Sequence, residues 1–343
     1  MFIEKYNLLL LILALVFNFF LCFFFKKNSI LLDQVNSSSH KKFATIKKTP
    51  LTGGVLIITF LFLFLKLEND IIFFILLYFI FGTLSDLNII ISAKLKFLVL
   101  TFFTIFFVIF MQLKIMSIGF SFMDQLLLNN LFNIFFTTFC IMVVINGTNF
   151  IDGVNGLSIG YYLLLNIFLL IASYSHNLSS VNLQLNFILL LALIIPNIFK
   201  FSFLGDAGVF SLSSYFCFLL ISFNKLNPLI APFFIAALLW YPAFENLFSI
   251  IRKLIFNTNP LKPDNYHLHH LILKETLLLF GKKTNSFYAA VPIHLFNLII
   301  FFLALKNINH KINLIIIILF AILIYLCVYI YLIKKNVRAK KIY

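Results

Sequence analysis

The stretch 128–157 reads LNNLFNIFFTTFCIMVVINGTNFIDGVNGL. Its first two thirds are an apolar run of membrane-crossing length, since a helix needs roughly 20 apolar residues to span a bilayer. Its end, from Asn146 to Leu157, is built of Gly and Asn around Asp152. Ten further apolar runs accompany this one. Eleven spans are therefore expected, with centres near 16, 59, 77, 104, 136, 165, 190, 215, 238, 298 and 323. The runs at 59 and 77 are short and parted by Glu68 and Asp70, and both are read as full spans. Backbone polar groups inside a bilayer must find partners within the protein. The expected fold class is thus all-α, a polytopic integral membrane helical bundle with about 11 transmembrane helices, forming one domain over 1–343.

Composition agrees. Of 343 residues, 62% are hydrophobic and 11% charged, where a soluble domain carries about 25% charged residues. Mean hydropathy is +1.07. The 48 Phe fit codon bias and lipid exposure and carry no functional reading. A net charge of +15 would suit nucleic acid, but the Lys and Arg lie between apolar runs, as topology signals do. Cys22, Cys140, Cys217 and Cys327 all fall inside apolar runs without metal-ligand spacing. The first run ends at Lys26 and Lys27 without a small-residue cleavage site, so it reads as a retained span.

With the N-terminus outside, the inside segments hold 20 of the 26 Lys and Arg. Lys5, Lys66, Lys114, Lys225, Lys306 and Lys311 remain outside. That asymmetry sets the expected orientation. Asp86, Asp152, Asp206, Asp264 and Glu275 then fall inside, and Glu245 near the inner end of the ninth span. The expected active-site loops are 40–54, 84–96, 146–157, 199–208 and 252–288. Ionisable groups at membrane-embedded ends are costly and often functional.

Each motif has two readings. The Asn and Asp side chains of 146–157 can bind ions or bases, or serve as ordinary turn residues. Asp206, in Gly205-Asp206-Ala207-Gly208, can cap a helix or hold Mg2+, which takes one or two carboxylates and completes its shell with phosphates and water. His267, His269 and His270 can bind a transition metal, contact phosphates or do acid–base work, and phosphate contact is preferred. Lys94 and Lys96, and Lys41, Lys42, Lys47 and Lys48, are topology anchors or neutralise a lipid phosphate. Glu245 and Arg252 lie seven apart on one helix and suggest a structural polar contact.

Together these loops resemble the polyprenyl-phosphate N-acetylhexosamine-1-phosphate transferases, in the bacterial O-antigen and common-antigen initiator branch related to the phospho-MurNAc-pentapeptide translocase. The likeness rests on five motifs in order. They are Pro50-x-x-Gly53-Gly54, the acidic motif at Asp86, the run Asn149-x-x-Asp152-Gly153-x-Asn155-Gly156-Leu157, Gly205-Asp206-x-Gly208, and Asp264 with His267-x-His269-His270.

The resemblance implies a UDP-N-acetylhexosamine donor, an undecaprenyl phosphate acceptor and release of UMP. It places the enzyme in a bacterial inner membrane with its active site facing the cytoplasm. It implies Mg2+, with Mn2+ as a substitute, no nucleic acid, and room for a homodimer. Asp206 and Asp152 would hold the metal. Asp86 and Asp152 would position metal and acceptor, and one would take a proton. Lys48 and Lys94 would meet the acceptor phosphate. Asn149, Gly153, Asn155 and Phe203 would hold the uridine. His267, His269 and His270 would contact the donor phosphates.

One departure stands out. The family shows two adjacent aspartates at the end of the third span, and here the residues are Ser85 and Asp86. Outside this family, a transporter or a non-catalytic scaffold would also use a helical bundle. A transporter, however, places polar groups near the midplane and often shows repeats, and no repeat is visible here.

Overall fold

The computed structural model describes residues 2–33, 49–65, 67–90, 92–178, 182–260, 262, 264–281 and 284–340. Among them the chain forms thirteen helices and one two-residue ribbon. The first part runs α1 (Phe2–Asn28), β1 (Leu32–Asp33), β2 (Thr49–Pro50), α2 (Gly53–Phe64), α3 (Asn69–Asp86), α4 (Ala93–Phe110) and α5 (Ser121–Leu128). Then come α6 (Asn130–Ile151), α7 (Leu157–Ser175), α8 (Leu183–Ile198) and α9 (Gly205–Leu226). The last part is α10 (Pro232–Ile255), α11 (Leu268–Phe280), α12 (Phe287–Lys306) and α13 (Lys311–Lys340). β1 and β2 pair antiparallel, with Leu32 opposite Pro50.

All eleven expected span centres fall in helices. Nine are long and apolar enough to cross a membrane, so the chain is a multi-pass membrane protein. The other two, α2 and α8, are shorter apolar helices. At 1.5 Å per residue, α2 rises only about 18 Å, against a hydrocarbon core of about 30 Å.

The segment 146–157 is not a loop throughout. Helix α6 continues to Ile151, because Thr148 donates to the Val144 carbonyl (2.8 Å) and bonds the Tyr162 hydroxyl (2.7 Å) inside the bundle. Likewise 252–288 contains the end of α10 and all of α11. Leu268, Leu271 and Leu273 are buried in α11, which packs on α12 and α13.

Helix α9 is the most enclosed of the long helices and packs against α3, α2 and α6. Small residues make this possible, as is common where helices associate in lipid. A Cβ on Gly82 of α3 would collide with the backbone of Asp206 and Ala207. Buried amides and hydroxyls tie the remaining helices. Asn18 of α1 donates to the Ala192 carbonyl of α8 (3.0 Å) and accepts from Thr52 (2.7 Å). Tyr215 of α9 donates to Asn186 of α8 (2.8 Å), and Trp240 of α10 to Asn297 of α12 (2.8 Å). Gly82→Ala should therefore lower stability by about 1–3 kcal/mol, the usual cost of overpacking. Thermal unfolding in detergent, beside an alanine substitution at lipid-facing Ile80, measures it.

Candidate active site

Helices α3 and α9 meet through a carboxylate. The first amides of a helix lack intrahelical acceptors. Asp86, at the end of α3, accepts the Asp206 N–H on Oδ1 (2.8 Å) and the Ala207 N–H on Oδ2 (3.0 Å). The cap of α9 is thus Asp86 from another helix, and Asp206 itself is left to face a cavity. Asp206 Oδ2 accepts from Lys96 Nζ (3.0 Å) and from the Ser85 hydroxyl. Ser85 and Asp86, the pair that departs from the family pattern, therefore both engage the start of α9.

The cavity measures about 880 Å3. Asp86, Asp152, Asp206 and Asp264 all line it, so four separate segments bring their carboxylates to one place. Asp152 closes α6 and accepts from the Ser158 hydroxyl. Asn149, Gly153, Asn155 and Phe203 also line the cavity. The loop bearing Phe203 is tied down by backbone bonds from Phe203 N to Pro50 O (2.9 Å) and from Gly53 N to Phe203 O (3.2 Å). Asn155 Nδ2 is buried without a hydrogen-bond partner among the described residues.

His267 and His270 line the cavity, and His269 does not. His269 is fully buried behind them, its ring 5.5 Å from that of His267 and 4.3 Å from that of His270. Burial, with the neighbouring His270 and His267, holds its imidazole well below the ordinary histidine range. Gly153 makes room for these rings, since a Cβ there would lie 2.8 Å from His270 Cε1 and 3.0 Å from His269 Nε2. His267 Nδ1 donates to Glu245 Oε1 (2.9 Å). Arg252 donates to both Asp264 oxygens (3.1 and 2.9 Å), and Lys253 lies 3.6 Å from Asp264. Burial would raise the Asp264 carboxyl, but the Tyr266 amide, Arg252, His267 and Lys253 outweigh it and hold it below the usual range. Glu245 and Arg252 share α10, yet each pairs elsewhere rather than with the other.

One expected lysine is not in the cavity wall. Lys94 is exposed and turned away, and Lys96 stands there in its place. Residues two apart on a helix point to nearly opposite sides, so only one of the two can face the site. Lys48 lies outside the described residues, as do Lys41, Lys42 and Lys47. Sequence reasoning also passed over Lys200, Asn197 and Asn246, which line the cavity. Their signal was position alone, each falling at the inner end of an apolar run.

The remaining wall is apolar. Phe97 and Leu100 of α4, Phe139 and Met142 of α6, and Leu247 and Ile250 of α10 form it. Phe97, Phe139 and Leu247 are also exposed.

A divalent cation fits the polar wall in one form. Among the described residues no three His, Cys, Asp or Glu side chains are grouped to hold a metal ion by themselves. Asp206 already holds a cationic ammonium, and a carboxylate facing an open cavity suits Mg2+, which draws most of its ligands from phosphate and water.

Two outcomes follow. Asp86→Ala removes the acceptor of two helix-end amides and should cost about 0.5–2 kcal/mol, the range for a lost cap, with Asp86→Asn costing less. Chemical unfolding in detergent checks both. The unfolded chain takes up a proton on His269 near pH 6.5, which the folded protein refuses. Stability should therefore be flat above about pH 6.5 and fall below it, by up to about 1.4 kcal/mol per pH unit from this group. His269→Leu should remove that share of the slope when stability is followed from pH 7.5 to 5.

The family model of glycosyl transferase family 4 matches residues 70–224, a little under half of the chain. The matched stretch runs from the start of α3 almost to the end of α9. It includes Ser85, Asp86, Lys96, Asn149, Asp152, Phe203 and Asp206, and stops short of Glu245, Asp264 and the three histidines. A comparison with individual curated proteins gives no significant match. The segment 70–224 is thus similar to glycosyl transferase family 4, the family of the polyprenyl-phosphate hexosamine-1-phosphate transferases and the phospho-MurNAc-pentapeptide translocase.

Proposed function

We propose that this glycosyl-phosphate transferase moves N-acetylhexosamine-1-phosphate from a UDP-sugar to undecaprenyl phosphate and releases UMP. The step would initiate a lipid-linked surface glycan, on the cytoplasmic side of a bacterial inner membrane. The observation that carries this reading is the two-sided cavity. One wall gathers carboxylates, amides, Lys96 and histidines, as a charged nucleotide donor requires. The other is apolar and built of side chains from α4, α6 and α10, three of them exposed, as a lipid acceptor requires.

In the reaction an oxygen of the acceptor phosphate attacks the sugar-bearing phosphorus of the donor. A new P–O bond forms, the bond to the bridging oxygen breaks, and UMP leaves. Both reactants are anionic, so alignment and charge neutralisation dominate the barrier. Mg2+, held by Asp206 with Asp152, would neutralise the donor diphosphate. Lys96 takes the place expected of Lys94 and meets phosphate beside Asp206. His267 and His270 face the donor phosphates, and His269 backs their rings. Asn149, Gly153, Asn155 and Phe203 hold the uridine.

Asp86 has both oxygens engaged by the start of α9. The proton demand is small, because a phosphate monoester has a second pKa near 6 and is mostly ionised at neutral pH. A single carboxylate where the family has two is compatible with such chemistry.

Purified protein, given Mg2+ and undecaprenyl phosphate, should release UMP from one member of a panel of UDP-N-acetylhexosamines and UDP-MurNAc-pentapeptide. Asp206→Asn should reduce the rate by about 100-fold or more, as loss of a key electrostatic contact does. Failure with every donor, while a known family member works under the same conditions, would overturn the reading.

A further inference from the structure

Glu245 is 1% exposed, so its carboxylate is shut off from solvent. A buried charge survives only when it is paired and hydrogen-bonded. Three donors meet it. Tyr325 of α13 donates to Oε2 (2.7 Å), while His267 Nδ1 (2.9 Å) and the Leu268 N–H (3.3 Å) donate to Oε1. A carboxylate that accepts from Nδ1 fixes which ring nitrogen is turned to it. His267 Nε2 is then the nitrogen left for the cavity, on the side of Asp264 Oδ1, 3.7 Å away. The ring is also confined by Phe150, with centroids 5.0 Å apart, and by His269.

We infer that Glu245, held by Tyr325, is a positioning residue that sets the orientation of the His267 ring, so that Nε2 is the nitrogen facing the donor diphosphate. This rests on the functional reading above. Glu245 itself touches no reactant and acts through the imidazole. The arrangement also gives the terminal helix a role in the site, because its hydroxyl is what keeps the carboxylate turned toward His267. Arg252 is served in parallel by the Tyr329 hydroxyl (3.2 Å), one helical turn further along α13.

UMP release by the full-length protein in nanodiscs tests this, using whichever donor of the panel the wild type turns over. Glu245→Gln should lower kcat about 10- to 100-fold, the usual scale for losing a carboxylate behind a functional histidine. The KM for undecaprenyl phosphate should stay within about twofold, because the acceptor side of the cavity is untouched. In a His267→Gln background the same change should cost less than about threefold, since residues acting as one unit are not additive.

Tyr325→Phe leaves the Glu245–His267 bond in place. It should give a smaller loss, about 3- to 10-fold, that also vanishes in the His267→Gln background. This variant carries the test if Glu245→Gln does not fold. Equal cost with and without His267, or wild-type kcat in both variants, overturns the role of Glu245 alone. No turnover of any donor by the wild type overturns instead the reading on which it rests.

Discussion

The bond between the Asp86 carboxylate and the first amides of α9 is the constraint on which the site depends. The start of a helix carries unpaired N–H groups and the positive end of its dipole. Within a bundle such groups must be met by the protein. Asp86 meets two of them from α3, and this fixes where α9 begins. Asp206, one of the two residues whose amides are held, then has one direction for its side chain. Gly82 lets the two helices approach closely enough for this to happen, and Ser85 and Lys96 complete the surroundings of Asp206. The Asp86 carboxylate is therefore the joint between two helices.

Around that joint the bundle solves two solvation problems in one cavity. The polar wall is made of helix ends and short loops, where backbone and side-chain polar groups are available. The apolar wall is made of helix sides, where alternate turns of α4, α6 and α10 already face lipid. No separate domain is needed to bring a charged reactant and a greasy one together. The end of a transmembrane bundle offers both surfaces within one cavity.

Much of this was legible in the sequence. Apolar run length located all eleven apolar helices, because the bilayer imposes that length directly. The Gly, Asn and Asp motifs marked the cavity because polar groups are rare in such a chain. What escaped depends on rotation and on partners. Lys94 and Lys96 have equal claims in a string of letters, and only the turn of α4 decides between them. Asn146 to Ile151 read as a loop because of Gly147 and two asparagines, yet the Thr148 hydroxyl bonds keep them helical. The separation of His269 from His267 and His270 likewise reflects one residue's turn of α11. The partners of Glu245, 80 residues apart along the chain in the case of Tyr325, leave no local trace.

The division of charge along the chain has a consequence for its synthesis. Asp86, Asp152 and Asp206 belong to the earlier part of the polypeptide, and Arg252, Lys253, His267 and His270 to the later part. A chain made from its N-terminus places its acidic half-site in the membrane while the later cations are still untranslated. Lys96 precedes Asp206, so its ammonium is already at hand when that carboxylate arrives. The polar wall is then completed only once α10 and α11 have emerged, so its assembly waits for helices far along the chain.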